Sequence, residues 1–120
     1  MSQTLYEKYG GFGTVSRIVM DFYDRLLDSD AVGPFFDDVD MRRLIDHQTK
    51  FVASLLGGPA DFSDARLAQA HKHLNIGDVD FDEMKRLLDG TLADHGMIET
   101  DRLAVLSEIE ARRDQIVSAS

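Results

Sequence analysis

A chain of 120 residues with 43% hydrophobic and 29% charged residues is expected to form one ordinary globular domain that spans residues 1–120. Its 22 acidic residues outnumber its 13 basic residues, and the net charge of −9 argues against nucleic acid or an anionic membrane as a partner. The chain has no cysteine, which excludes disulfides, cysteine-based zinc sites, iron–sulfur clusters and thiol catalysis.

Two helices are predicted near the start of the chain. A short segment from Thr4 to Lys8 ends at Gly10-Gly11, where a helix cannot easily continue. From Thr14 to about Asp28, apolar residues recur at the spacing of one helix face. The residues of this predicted buried face are Val15, Ile18, Val19, Phe22 and Leu26.

A corner and a third helix are predicted next. Gly33-Pro34 bends the chain within the corner Val32 to Phe36, and two large aromatic residues follow the bend. Asp40 is the expected N-cap of the third helix, and Gly57-Gly58-Pro59 is expected to end it.

The second half of the chain continues the helical pattern. A short helix is expected from about Ala65, a longer one from a cap at Asp78 or Asp80 to near Gly96, and a last one capped by Thr100. The predicted buried stripe of the last helix is Leu103, Leu106, Ile109, Ile116 and Val117. Because strand alternation is almost absent, we predict an all-α protein.

Two short blocks, residues 45–51 and 68–74, each place one histidine in an amphipathic helical run. The break at Gly57-Gly58-Pro59 lies between the blocks, so two helices that turn back on each other would place His47 and His71 across one cavity. Without cysteine, imidazole is the obvious nitrogen ligand for a metal or metallocofactor. A lone helical histidine is, however, more often an ordinary core or surface residue, and the two blocks alone leave both interpretations open.

Motifs over nearly the whole chain resemble those of the group I truncated haemoglobins. They are Leu5-Tyr6-Glu7-Lys8-Tyr9-Gly10-Gly11, Phe22-Tyr23, Phe35-Phe36 followed by Asp40-Met41, His47-Gln48 with Phe51, Gly57-Gly58-Pro59, Ala70-His71, and Ile76 with Phe81. None of these motifs is specific alone, but together they fall in register. The resemblance implies a truncated globin fold, which is a two-over-two helical sandwich around b-type haem (haem b, iron protoporphyrin IX).

The resemblance also implies roles for single residues. His71 falls at the position of the proximal iron ligand, and His47 falls where some members carry a possible distal sixth ligand. Tyr23 and Gln48 match the two distal side chains that hydrogen-bond dioxygen and serve any catalysis. Arg43 matches a basic residue near the haem propionates. The remaining implied haem contacts are Phe36, Leu44, Phe51, Leu55, Leu74, Phe81 and Met84.

The residue chemistry agrees with these implied roles. Gln48 lies in one helical stripe with Leu44, Phe51 and Leu55, and a buried amide is costly unless it is hydrogen-bonded. Tyr23 adjoins the core residue Phe22, and a buried phenol also requires a partner. Met84 stands where the family commonly has a smaller apolar residue, which would narrow any apolar ligand tunnel.

The implied function is reversible binding of dioxygen, NO and CO, with oxidation of NO to nitrate as the expected reaction. Turnover would require an unidentified reductase, because 120 residues leave no room for a flavin or nicotinamide site. The alternatives are a haem-based gas or redox sensor, a bis-histidyl electron-transfer protein if His47 binds iron, and a helical interaction domain without cofactor. No run is apolar enough for a signal peptide or a membrane span, so we expect a cytoplasmic monomer or weak dimer.

Overall fold

The computed structural model describes residues 4–58 and 76–117, and these residues form helices and turns without any strand. The helices are α1 (Leu5–Lys8), α2 (Phe12–Asp28), a 3-10 helix (Gly33–Phe36), α3 (Met41–Leu55), α4 (Asp78–Asp94), α5 (Glu99–Glu110) and α6 (Arg113–Ile116). The all-α prediction is confirmed. The short helix predicted from about Ala65 lies outside the described residues.

Helix α2 begins two residues before the predicted start. Gly10 and Gly11 both have positive φ angles, 104° and 77°, so the chain turns in a conformation that glycine adopts without strain. This turn lets the helix begin at Phe12, and Thr14 is already within it. The predicted buried face is confirmed, and Tyr23 joins it.

The corner after α2 is a 3-10 helix with Pro34 near its start. The N–H of Gly33 donates to the carbonyl of Ser29 at 2.9 Å, which holds the corner tightly against the end of α2. Asp40 then caps α3, as predicted, because its carboxylate accepts the N–H of Arg43 at 3.3 Å. The helix ends before Gly57, which has a φ of 88°.

Helix α4 begins at Asp78, with Gly77 as its N-cap. The carboxylate of Asp80 reaches back and accepts the N–H of Gly77 at 3.1 Å, so the predicted capping acid is present but lies inside the first turn. The predicted Thr100 cap is wrong, because α5 already begins at Glu99 and Ile98 is its N-cap. The extended backbone of Ile98 starts this helix without a side-chain cap.

The buried stripe predicted for the last helix is partly wrong. Leu103 is 57% exposed, whereas Val105 and Ile109 are buried. Residues 103 and 105 are about 200° apart around a helix, so only one of them can face α4. The predicted single helix is also divided, because the chain turns at residues 111 and 112 before α6 begins.

The packing places α2 at the centre of the described structure. Helix α2 contacts both α3 and α4, and α4 also packs on α5. Phe81 and Leu92 of α4 are fully buried between these layers. This is the two-over-two arrangement of helices that we predicted. Within residues 4–58 and 76–117, no helix is long and apolar enough to cross a membrane.

The tight corner at Gly33 generates a stability prediction. A Cβ atom at residue 33 would lie 2.8 Å from the backbone carbonyl oxygen of Leu27, and a backbone atom cannot move away easily. Gly33→Ala should therefore lower the free energy of unfolding by about 1–3 kcal/mol, measured by chemical denaturation. Gly90→Ala is the matched control, since its Cβ would make only an ordinary 3.5 Å contact with Arg25 and a helix favours alanine. Equal effects of the two substitutions would contradict this account of the corner.

Candidate functional site

An apolar cavity of about 260 Å³ lies between α2, the 3-10 corner, α3 and α4, with the ends of α5 and α6 closing one side. Packed protein interiors rarely contain voids much larger than a water molecule, so this volume indicates a site for a bound group. The cavity wall includes seven residues that the sequence predicted at the site. They are Tyr23, Phe36, Leu44, Gln48, Phe51, Phe81 and Met84.

Tyr23 places a phenol on the cavity wall although the residue is only 8% exposed. Its ring is held edge-on by Phe22 at 5.3 Å and by Phe36 at 5.7 Å between centroids. Its hydroxyl has no hydrogen-bond partner among the described residues. Burial raises the pKa of the Tyr23 phenol well above its usual value, so the group remains a neutral O–H donor at ordinary pH.

Gln48 supplies a second polar group to the same cavity. Helix α3 aligns it with Leu44 and Phe51, at the i+4 and i+3 spacings that place side chains on one face. The side chain is half-buried, and within residues 4–58 and 76–117 its amide makes no hydrogen bond. Tyr23 and Gln48 thus bring two polar groups, neither hydrogen-bonded within residues 4–58 and 76–117, to one apolar cavity, and a ligand with a polar or charged atom would satisfy both.

Of the histidines, His47 and His95 lie among the described residues, and neither lines the cavity. His47 is exposed on α3 and is not part of the described cavity wall, so its ring would have to swing inward to reach a bound group. His71 and the predicted contact Leu74 lie outside the described residues. His95 is the C-cap of α4, and its Nε2 atom lies 3.0 Å from the Asp21 carboxylate, away from the cavity.

Two other predicted contacts lie outside the cavity wall. Leu55 is half-buried but does not line the cavity, since it lies one turn beyond Phe51 at the end of α3. Arg43 is exposed, and its guanidinium has no ion pair in the described part of the chain. An exposed, unpaired cation on α3 remains available for an anionic group at the rim.

The wall also contains residues that sequence reasoning did not assign to the site. Several come from the corner and the later helices: Val32, Phe35, Val39, Ile76, Leu88, Ile109 and Ile116. The apolar patterns around Phe35 and Ile109 predicted that these residues are buried. They did not indicate which buried side chains border a cavity. Asp80 is the one charged residue on the described wall, and its carboxylate is bonded to the N–H of Gly77.

The chemistry of these lining residues suits haem. They form an apolar slot of aromatic and aliphatic side chains with the Tyr23 phenol and the Gln48 amide on its wall, and Arg43 lies exposed on α3, the helix that also carries Gln48. Since the chain has no cysteine, a c-type attachment through thioether bonds is excluded, and the iron ligand must come from another residue type.

Comparisons with known proteins point the same way. The bacterial-like globin family model matches residues 4–118. A group 1 truncated hemoglobin of Tetrahymena pyriformis is 35% identical over 106 residues, which cover 88% of this chain and 84% of that protein. The group 1 truncated hemoglobin GlbN of Synechocystis is 36% identical over 100 residues, covering 80% and 81% of the two chains.

Solved structures of such proteins have the same fold. The Fe(III) form of the Tetrahymena pyriformis truncated hemoglobin aligns with a TM-score of 0.88 and 32% identity, covering 96% of this chain and 98% of that one. A Synechococcus 2/2 hemoglobin, solved in the cyanomet state with covalently attached heme, aligns with a TM-score of 0.89 at 28% identity and the same coverage.

Proposed function

Because this chain belongs to the bacterial-like globin family, and within it to the group 1 truncated haemoglobins, we propose that residues 1–120 form one haem b domain that binds dioxygen and supports oxidation of NO to nitrate. Membership in a globin family implies haem and diatomic gas ligands. The observation that best supports a dioxygen-binding function is the presence of two polar side chains, Tyr23 and Gln48, in one apolar cavity, where neither is hydrogen-bonded to a described residue.

The family resemblance and the lining side chains support a proposal for the haem environment. We propose His71 as the proximal iron ligand, Arg43 as the partner of a propionate, and Leu55 and Leu74 as outer haem contacts. When bound, haem supplies an iron that takes up diatomic gases and exchanges electrons with them. Electrons for repeated turnover must come from a separate reductase. We expect the protein to work in the cytoplasm as a monomer or weak dimer.

The distal residues act by hydrogen bonding and by excluding water. A dioxygen ligand carries partial negative charge, so the neutral Tyr23 O–H and the Gln48 amide N–H would both donate to it. Phe22 and Phe36 hold the Tyr23 ring in one orientation, so its hydroxyl is already oriented before a ligand binds. Slow dioxygen release gives NO time to reach the site before the dioxygen leaves.

Removal of either distal donor should speed dioxygen release. Tyr23→Phe should raise the dissociation rate constant about tenfold or more, since a hydrogen bond to a charged acceptor contributes about 1.5–3 kcal/mol. Gln48→Leu should act in the same direction, and the double variant should be non-additive because both donors serve one ligand. Stopped-flow displacement of dioxygen measures these rates.

Tyr6→Phe is the matched control for this experiment. Tyr6 is half-buried beside Gly58 and does not line the cavity, so its loss of a phenol hydroxyl should leave dioxygen release unchanged. Wild-type rates in both Tyr23→Phe and Gln48→Leu would remove these residues from the distal site.

The proposed reaction is tested by rapid mixing of the dioxygen-loaded protein with NO. We expect nitrate in an amount equal to the haem, together with conversion of the iron to the ferric state. Added reductase and NADH should then support repeated turnover. Capture of NO without nitrate would instead favour a gas sensor or carrier, the alternative that the sequence left open.

His47 should affect ligand binding although its ring is exposed. We propose that it binds the iron in part of the ligand-free ferrous population and is readily displaced, because reaching the iron requires it to leave its solvent-facing position. Carbon monoxide association should then show a phase that saturates with concentration, and His47→Leu should abolish that phase. Association that is linear in carbon monoxide for the wild type would exclude this gating and also the bis-histidyl electron carrier.

The proximal assignment is checked with the same absorption spectra. His71→Ala should abolish stable haem incorporation, whereas His73→Ala, two residues away, should retain haem and a normal spectrum, because on the helix predicted from about Ala65 residues two apart would face different directions. Full haem content in His71→Ala would show that the axial ligand is another residue.

A further inference from the structure

A single arginine outside the cavity supports one of its walls. Arg113, at the start of α6, lies with its guanidinium carbon 4.5 Å from the centroid of the Phe81 ring. Phe81 is fully buried and lines the cavity. A cation over the face of an aromatic ring is attracted to it, so Arg113 helps to hold this cavity-lining ring in place.

The same guanidinium joins three elements. Its Nη1 atom donates to Asp78 at 2.8 Å and its Nη2 atom to Asp82 at 2.6 Å, both on α4. Its Nε atom donates to Glu110 of α5 at 2.6 Å, and Lys85 of α4 contacts the same carboxylate at 2.7 Å. The planar guanidinium directs its donors to several carboxylates in a fixed geometry and also packs its face on an aromatic ring, whereas the compact ammonium of lysine has no such planar fork.

These contacts determine where α6 lies. Helix α6 has only four residues and cannot be stable alone, so its position depends on side-chain contacts. Ile116, at its end, is 6% exposed and lines the cavity. Arg113 thus fixes two cavity-lining residues at once, Phe81 through its ring face and Ile116 through the short helix that carries it.

We propose that Arg113 is a positioning residue for the cofactor: it holds Phe81 and α6 against the cavity and thereby slows the loss of haem. The inference rests on the proposed haem site, but it does not depend on the reaction carried out there. It also makes haem retention sensitive to salt, because the Asp78 and Asp82 side chains are 69% and 63% exposed and their attraction to Arg113 is screened.

The network is intact over a broad pH range. Hydrogen bonds from Arg113, and then from Lys85, lower the pKa of Glu110 from its ordinary 4.5 to about 2. A lowered carboxyl pKa means that the contribution of Glu110 to stability is present above about pH 4.5 and is lost as the pH falls toward 2. Haem loss at neutral pH therefore tests the complete network.

The test is the rate at which purified holoprotein transfers haem to an excess of apomyoglobin. Arg113→Gln should lose haem roughly five to ten times faster, given the usual size of a partly exposed cation–π contact and of surface ion pairs. Salt should accelerate haem loss from the wild type but have little effect on the variant. The Soret circular dichroism band should also change, because it reports the aromatic side chains around haem. Arg113→Lys should restore haem retention only in part.

Arg86→Gln is the matched control. Arg86 is an arginine of α4 with a 69% exposed side chain. Among the described residues it pairs only with Glu83 of the same helix. The control should keep the wild-type rate, salt dependence and Soret dichroism. If Arg113→Gln matched this control in all three, the proposal would be overturned. If Arg113→Gln does not fold, Asp82→Asn removes one exposed carboxylate that pairs with Arg113. Unchanged haem loss in that variant would also overturn the proposal.

Two readouts separate this inference from the proposed function. Nitrate formation by the wild type tests the reaction proposed at Tyr23 and Gln48, which lie on other helices, whereas haem transfer tests the role of Arg113. A protein that loses haem faster but still converts NO to nitrate supports both proposals. Faster haem loss without any nitrate in the wild type supports only the role of Arg113.

Discussion

The rest of the site depends on the buried phenol of Tyr23, which makes no hydrogen bond with any residue in the described ranges 4–58 and 76–117. Leaving a hydroxyl unsatisfied in an apolar environment costs about 1–3 kcal/mol, so the fold would lose little by replacing Tyr23 with phenylalanine. Two aromatic rings instead hold Tyr23 in place at the cavity wall. A molecule bound in the cavity that accepts the hydrogen bond would offset this cost. The apolar wall, the amide of Gln48 and the membership in a globin family all agree with such a bound molecule.

Helical spacing predicted the long helices and the polar-apolar stripe of α3, whereas the resemblance implied the other predicted residues of the cavity wall, which are Tyr23, Phe36, Phe81 and Met84. Val15 to Leu26 repeat at the helix period, and the cap at Asp40 has a side chain that satisfies a backbone N–H. The same period placed Leu44, Gln48 and Phe51 on one face. The resemblance of the motifs to the group I truncated haemoglobins is confirmed by the family match and by the solved structures.

The sequence predictions of caps and buried residues are wrong where the local sequence pattern does not determine the structure. Ile98 begins α5 with extended backbone geometry and no capping side chain, so the nearby Thr100 was a misleading signal. Leu103 is apolar yet exposed, because its direction is set by which face of α5 meets α4. Val32 and Val39 line the cavity from a corner without periodicity, and only the path of the chain around Gly33 brings them there.

Charge explains how a chain of net charge −9 can hold a cofactor with two propionates. Most acidic groups of α4 to α6 are neutralised locally, as Glu110 and Asp82 are by Arg113, and the carboxylate on the described cavity wall, Asp80, is bonded to a backbone N–H. Arg43 differs, since it has no ion pair among residues 4–58 and 76–117. A cation left exposed on α3 would offset the repulsion between propionates and this acidic surface, which is the reason for proposing Arg43 as their partner.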